Sequence, residues 1–385
     1  MINFNSNFSD LNDSSYLTNP IQFIKTERYR NTIANFGEQL LLFDKISLKI
    51  ERDNLALAIL INELGINKVI ELIEQGIVEF LIWTPMVVVG QGKNGEGVKN
   101  EELLKGTPPI VTGVYGSDIH IDPNASATNA LNFVLQQSFV RKERRAFVRK
   151  VANATKVTDF TFTNDASKIV ISAYENNELK ELGLPYNLPA FDLSYQDRIK
   201  LQSLASDVLE TSILAKYKYS SLNQYSYSTI AAESLKRIQQ AHKLEEDFQK
   251  IITIENLLDL KKYILDNNLS LVQILDIRKK RDSKLFREWL KSVSTNENAV
   301  EITREYLDAI ENRKGFFDSH AGKLTKTVSL LGVSYVGDLL LFNGVPLMSG
   351  AVGLFDAYIL NGLLQGWNPR LGIKVIEEKI KENSN

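Results

Sequence analysis

Three apolar segments in the first third of the chain have the pattern of β-strands. Residues 39–50 begin as a continuous apolar run and end in alternation, while residues 77–89 and 110–121 are rich in Val and Ile. Continuous apolar runs are typical of buried strands, and alternation is typical of half-exposed ones. Apolar residues at helical spacing fill residues 54–75, with a break at Gly65, and residues 125–151. We therefore predict a small sheet covered by helices, with two helices joined at Gly65 and one long helix over 125–151.

The second half of the chain has apolar residues mostly at helical spacing. Positions i, i+3 and i+4 recur in five segments, 195–217, 228–252, 254–266, 282–294 and 297–313. A strict seven-residue repeat is not kept for long, so the pattern favours packed helices over a coiled coil. The predicted fold class is α+β and predominantly helical: a small N-terminal sheet with covering helices, followed by a helical assembly.

Composition also predicts how the chain is divided. Residues 1–20 are polar and rich in Asn and Ser, which indicates a flexible N-terminal arm. Residues 183–189 contain two prolines and one glycine and have the character of a linker. We place a domain boundary there, between an α/β-containing domain at 21–183 and a helical domain at 190–385.

Charge and cysteine content exclude several function classes. The 385 residues carry a net charge of −2, which argues against a polyanion-binding surface over the whole molecule but allows local basic patches. No cysteine is present, so thiolate metal sites, cysteine nucleophiles and disulfides are excluded. Neither a secretory signal pattern nor an uninterrupted run of 18 apolar residues occurs, and we expect a cytoplasmic protein.

Asp118, His120 and Asp122 form the first candidate site. Residues two apart on a strand share a face, so these three side chains would project together. Two carboxylates and one imidazole suit a divalent metal such as Mn, Fe or Zn, which would activate a water molecule for hydrolysis. The alternative is a half-exposed strand with a solvated polar face, ending in an ordinary turn before a helix. Both interpretations stay open.

Two groups of basic residues form the second candidate site. Arg141, Arg145 and Arg149 lie at i, i+4 and i+8 and would form a stripe able to follow the phosphates of a nucleic acid. Alternatively they belong to a solvated helix face, where cations late in the helix complement its dipole. The second group is harder to explain by the dipole, because its cations crowd the start of a helix: Arg278, Lys279, Lys280, Arg281, Lys284 and Arg287.

Residues 328–367 are predicted to form an apolar helical hairpin, with arms at 328–342 and 349–364. Such a hairpin could enter a membrane, but Asp338 and Asp356 lie near the middle of the arms, and a carboxylate in hydrocarbon costs roughly 2.5–3.5 kcal/mol. A hairpin buried in protein is the simpler interpretation, and a membrane is not expected as a partner.

No segment has a signature that names a reaction. A G-x-G-x-x-G spacing at Gly90 lacks the following helix that a dinucleotide site requires, so no organic cofactor is predicted. The leading hypothesis is a binding or assembly protein that contacts a protein partner, or a second copy of itself, through helical surfaces. The alternatives are a metal-dependent hydrolase or nuclease at Asp118, His120 and Asp122, and a membrane-active effector using residues 328–367.

Overall fold

A computed structural model confirms the α+β, predominantly helical fold class with a parallel sheet at the N-terminus. It describes Leu179 and residues 2–11, 20–90, 104–114, 121–135, 141–158, 163–177, 183–217, 219–224, 250–254, 260–295 and 326–330.

The described strands fall into two sheets. In chain order they are β1 (Ile2–Asn5), β2 (Lys45–Ile50), β3 (Val78–Ile82), β4 (Pro85–Val89), β5 (Ile110–Val114), β6 (Thr155–Val157), β7 (Ser220–Gln224), β8 (Lys250–Ile254) and β9 (Lys326–Leu330). Seven of them form one sheet in the order β6-β3-β2-β1-β7-β9-β8, and β4 pairs with β5 in an antiparallel hairpin. Strands β6, β3, β2, β1 and β7 run parallel, whereas β9 is antiparallel to both of its neighbours.

The described α-helices, also in chain order, are α1 (Pro20–Phe23), α2 (Glu27–Leu42), α3 (Leu55–Leu64), α4 (Ile66–Glu74), α5 (Pro123–Ala130), α6 (Arg141–Asn153), α7 (Thr163–Glu175), α8 (Tyr195–Tyr217), α9 (Leu260–Asp266), α10 (Leu271–Arg278) and α11 (Arg281–Thr295). The predicted break at Gly65 is confirmed: this residue has a φ of 75° and separates α3 from α4.

The large sheet separates two hydrophobic cores because successive residues of a strand face opposite sides. Phe80 of β3 belongs to a core shared with α2, α3, α4, α6 and α9 to α11. Its neighbour Leu81 belongs to the other core, which is built mainly from α7 and α8. The helices α4 and α6 thus cover one face of the sheet, and α7 and α8 cover the opposite face.

Two boundaries predicted in the first half were wrong. Residues 39–42 belong to the last turn of α2 rather than to a strand, and β2 begins only at Lys45. An apolar run without periodicity does not distinguish a buried helix from a buried strand. The long helix predicted over 125–151 is also interrupted, because a 3-10 turn at Leu131–Phe133 leads to an extended Val134.

Strands also occur in the second half, where helices were predicted. Residues 250–254 form β8, and residues 326–330, which include the predicted start of the apolar hairpin, form β9. Both strands contain β-branched residues and pair with each other over five positions, which overrides a weak helical spacing. Residues 331–367 lie outside the described part. No helix within the described segments is both long and apolar enough to cross a membrane.

Strands from both sides of residues 183–189 lie in the same sheet. Asn3 and Phe4 of β1 pair with Ser220 and Ser221 of β7. The domain boundary near 183–189 stays a prediction.

Candidate anion-binding site

The described part of the structure does not bring the three predicted metal ligands together. Asp118 and His120 lie outside these residues. Asp122 is exposed and caps α5, with its side chain accepting a hydrogen bond of 2.9 Å from the backbone N–H of Asn124. That contact and a second hydrogen bond from the side-chain amide of Asn124 lower the pKa of Asp122. No cluster of three metal-ligating side chains occurs in the described segments, and the metal site stays a prediction.

Arg141, Arg145 and Arg149 lie on the solvent side of α6. All three are exposed, while Phe147 and Val151 of the same helix are buried against the sheet. Because the helix as described spans Arg141–Asn153, two of the arginines occupy its first two turns. The expectation that these cations come late in a helix is therefore wrong for Arg141 and Arg145, whereas Arg149 and Lys150 lie near the end of α6, where cations complement the dipole.

The second basic group divides into a buried and an exposed part. Arg278 at the end of α10 and Arg287 in α11 are only 6% and 8% exposed. Lys279 and Lys284, which belong to the same group, are exposed. Fully buried arginines are rare unless their charge is satisfied, so the partners of the two guanidinium groups decide what the site can do.

Arg278 holds the end of α2 against the end of α10. Its Nη1 donates hydrogen bonds to the carbonyl oxygens of Leu40 and Phe43, the latter at 2.6 Å, and its Nη2 donates to the carbonyl of Asp44 at 2.6 Å. The last carbonyls of a helix have no partner within the helix, and a buried arginine is a good donor to them. This side chain is thus structural, and it places a positive charge at the amino-terminal edge of β2.

The guanidinium group of Arg287 has partners for only some of its nitrogens. Its Nη2 donates to the carbonyl of Arg278 at 3.3 Å, and its Nε lies 4.0 Å from Oδ1 of Asp44. Its Nη1 is buried and has no hydrogen-bond partner among the described residues. A buried donor without a partner lowers the stability of the fold by roughly 1–3 kcal/mol, and by more when it is charged. An acceptor bound to this nitrogen would remove that cost.

Arg287 lines a cavity of about 220 Å³ between α4, α10 and α11. This volume is far above the roughly 30 Å³ that a water molecule occupies in the liquid. Five cationic side chains and one carboxylate line it, together with four other residues: Lys68, Glu71, Leu72, Gln75, Ile77, Leu275, Arg278, Lys279, Lys284 and Arg287.

The nearby carboxylates do not balance these cations. Glu71 pairs with Lys279 at 3.1 Å, Glu288 lies 3.8 Å from Lys284, and Asp44 is shared by the two arginines. Five cations against three carboxylates leave a formal excess of two positive charges. Burial and, to a smaller extent, repulsion from Arg287 lower the pKa of Arg278 to about 9, and Asp44 opposes the shift. The first turn of α11 adds the positive end of a helix dipole beside Lys284.

A second charged cluster, around Glu79, is satisfied internally. Lys45 and Lys156 contact this buried carboxylate at 2.5 and 3.1 Å, and the hydroxyl of Tyr219 donates to it at 2.7 Å. Burial raises the pKa of Tyr219, so the hydroxyl keeps its proton and remains a donor. The cluster links β2, β3 and β6, and both oxygens of its carboxylate have donors within the cluster.

The carboxyl edge of the parallel strands is the usual ligand site of open α/β sheets. In the described residues several polar groups at this edge serve the fold. Thr84 and Thr158 bond each other at 3.0 Å after β3 and β6, and Asn54 caps α3. The basic cavity lies instead beside Ile77 and Asp44, at the edge where β3 and β2 begin.

The sequence pattern indicates the second basic group as a candidate site but does not connect this group with α4. Lys68 and Glu71 carry no signal that relates them to residues more than 200 positions away. The signal that was present is the set of cations at the start of α11, which the helix dipole disfavours.

No protein-family model, no curated protein and no solved structure matches the chain. The functional interpretation therefore rests on the geometry of the basic cavity.

Proposed function

We propose that this chain is a binding protein that holds a phosphate-bearing ligand in the cavity between α4, α10 and α11. The observation that carries the proposal is the set of five cationic side chains that line this cavity, among them Arg287, whose buried Nη1 has no acceptor among the described residues. We propose the cytoplasm as its location, since a chain without cysteine suits a reducing compartment.

The charge of the cavity favours a doubly charged phosphate group over a singly charged carboxylate ligand. A guanidinium group forms short, charge-assisted hydrogen bonds with phosphate oxygens, and lysines act beside it as point charges. Arg287 contributes a guanidinium group to the wall of the cavity, while the exposed Lys279 and Lys284 approach from the rim. A doubly charged phosphate would also match the formal excess of two cations.

Titration calorimetry with inorganic phosphate and pyrophosphate tests the proposal. Arg287→Gln removes the charge and the free donor, and we expect it to weaken binding about 10- to 100-fold, because a hydrogen bond to a charged group contributes roughly 1.5–3 kcal/mol. Lys284→Gln removes a rim charge without disturbing the core and should weaken binding by a smaller factor.

The matched control is Lys168→Gln on α7, an exposed lysine on the opposite face of the sheet, which should leave affinity unchanged. Thermal unfolding of each variant separates lost binding from lost folding. Equal affinity of the wild type, Arg287→Gln and Lys284→Gln for pyrophosphate, or no binding by the wild type, would show that the cavity is not an anion site.

A further inference from the structure

Two basic groups that are about 130 residues apart in the sequence lie on the two flanks of one short helix. Glu74 of α4 pairs with Lys150 of α6, and Glu71 of α4 pairs with Lys279 beside the cavity at 3.1 Å. Residues three apart on a helix have Cβ atoms about 5–6 Å from each other, so Lys150 and Lys279 lie on the order of 10–15 Å apart. Helix α4 therefore lies between the cavity and α6, and its Glu71 and Glu74 are each paired with a lysine from one of the two sides.

The outer surface of α6 continues the positive charge away from the cavity. Lys142, Arg145 and Arg149 are exposed, and Phe147 and Val151 fix the orientation of the helix by packing into the core. Lys142 in the first turn opposes the helix dipole, while Glu143 beside it and Arg149 near the other end of the helix are placed favourably. The helix dipole therefore accounts for only part of the charge on this face.

We propose that the phosphate held in the cavity belongs to the backbone of a double-stranded nucleic acid, which continues across α4 onto the exposed face of α6. This inference rests on the proposed function and names its ligand class. A duplex carries one charge per strand every 3.4 Å of its axis, so a span on the order of 10–15 Å corresponds to roughly three or four phosphates of one strand.

A duplex is favoured over a single strand by the side chains that α4 and α6 present. Proteins that hold single strands stack bases on exposed aromatic rings. In the described parts of α4 and α6, the aromatic side chain is Phe147, and it is buried. Lysine and arginine contacts to phosphates position a duplex without reading its sequence, so binding is expected to be independent of sequence.

Fluorescence anisotropy with a labelled 20-base-pair DNA duplex, measured between 50 and 200 mM salt, tests the inference. Each phosphate neutralised by a basic side chain contributes about −0.9 to the slope of log K against log salt. Arg145→Gln combined with Arg149→Gln should reduce the magnitude of this slope by about two and leave pyrophosphate affinity unchanged. Arg287→Gln should weaken the binding of both duplex and pyrophosphate.

Matched controls and competing ligands make the outcomes distinct. Lys168→Gln combined with Lys200→Gln removes two exposed charges from the opposite face of the sheet and should leave the slope unchanged. A single strand of the same sequence and a duplex RNA are measured in parallel, and tighter binding of the single strand would contradict the inference. If pyrophosphate binds through Arg287 but the α6 variant binds the duplex as the wild type does, the duplex path is wrong and the phosphate site stands. If pyrophosphate does not bind either, both proposals fail.

Discussion

At the scale of single residues, the protein buries charge in two different ways. Glu79 is surrounded by two lysines and a tyrosine that satisfy its carboxylate. Arg278 is satisfied by main-chain carbonyls instead and has no carboxylate in direct contact with its hydrogen-bonding nitrogens among the described residues. In the first arrangement the carboxylate is satisfied by direct donors, whereas in the second the charge of Arg278 has only main-chain carbonyls in direct contact and lies beside Arg287. Binding is therefore assigned to the arginine pair and stability to the glutamate cluster.

Glu79→Gln should destabilise the protein by about 1.5–3 kcal/mol at pH 7, the usual contribution of hydrogen bonds to a charged group. Burial alone would raise the pKa of Glu79, but hydrogen bonds from Lys45, Tyr219 and Lys156 outweigh it and hold the pKa below the ordinary 4.5. A lowered carboxyl pKa stabilises the fold above the unfolded value and loses that effect as the pH falls through the folded value.

Urea unfolding at several pH values measures this effect. The difference between wild type and Glu79→Gln should be constant above about pH 5 and shrink below pH 4.5. Glu74→Gln breaks an exposed pair and serves as the control, with an expected change of no more than about 1 kcal/mol. A difference that grows on acidification would contradict the assignment.

At the scale of elements, the position of α10 determines the geometry of the cavity. Gly37 of α2 lies where α9 and α10 pack closest: a Cβ built on it would lie 2.5 Å from Cδ1 of Ile274 and 3.3 Å from Cδ1 of Ile264. Glycine inside a helix costs about 0.5–1 kcal/mol relative to alanine, so its use here is explained by the close approach. The position of Arg278 depends on this packing, because Arg278 is the last residue of α10 and the glycine at position 37 allows α10 to approach α2 closely.

Gly37→Val should destabilise the fold by about 1–3 kcal/mol, since a branched side chain overpacks the contact between α2 and α10. We also expect weaker pyrophosphate binding, because displacement of α10 moves Arg278 and with it the support of Arg287. Gly113→Ala in β5 is the control, as a Cβ there meets no atom within 4 Å. Denaturant unfolding and calorimetry measure the two effects, and a Gly37→Val protein with wild-type stability would show that the helices are not closely packed.

The elements also show what the sequence could and could not predict. Two helices of the second half were predicted with close bounds: 195–217 is α8, and 282–294 lies within α11. Strands β8 and β9 were missed because a five-residue segment has too little periodicity, and its partner strand decides its conformation. The charge run at 278–287 was visible, but the burial of Arg278 depends on carbonyls 234 to 238 residues away, which no local pattern contains.

At the scale of the whole molecule, the large sheet and the first hydrophobic core both combine distant parts of the chain. Strand β7 lies between β1 and β9, so residues before and after 183–189 share main-chain hydrogen bonds. Helices α9 and α10 pack on α2 in the core that also contains β2 and β3. Neither half of this core is complete without the other, which links the stability of the two predicted domains.

We therefore expect the core to unfold in a single cooperative transition. Calorimetry should give equal calorimetric and van't Hoff enthalpies, the signature of two-state unfolding. Hydrogen exchange in increasing urea locates the unit more directly, because amides of β2 and of α10 should lose protection at the same urea concentration. If α10 opened at lower urea while β2 stayed protected, the boundary near 183–189 would separate independent domains. The cavity between α4, α10 and α11 would then be a contact between domains, and phosphate should delay the opening of α10, since a ligand stabilises the state that binds it.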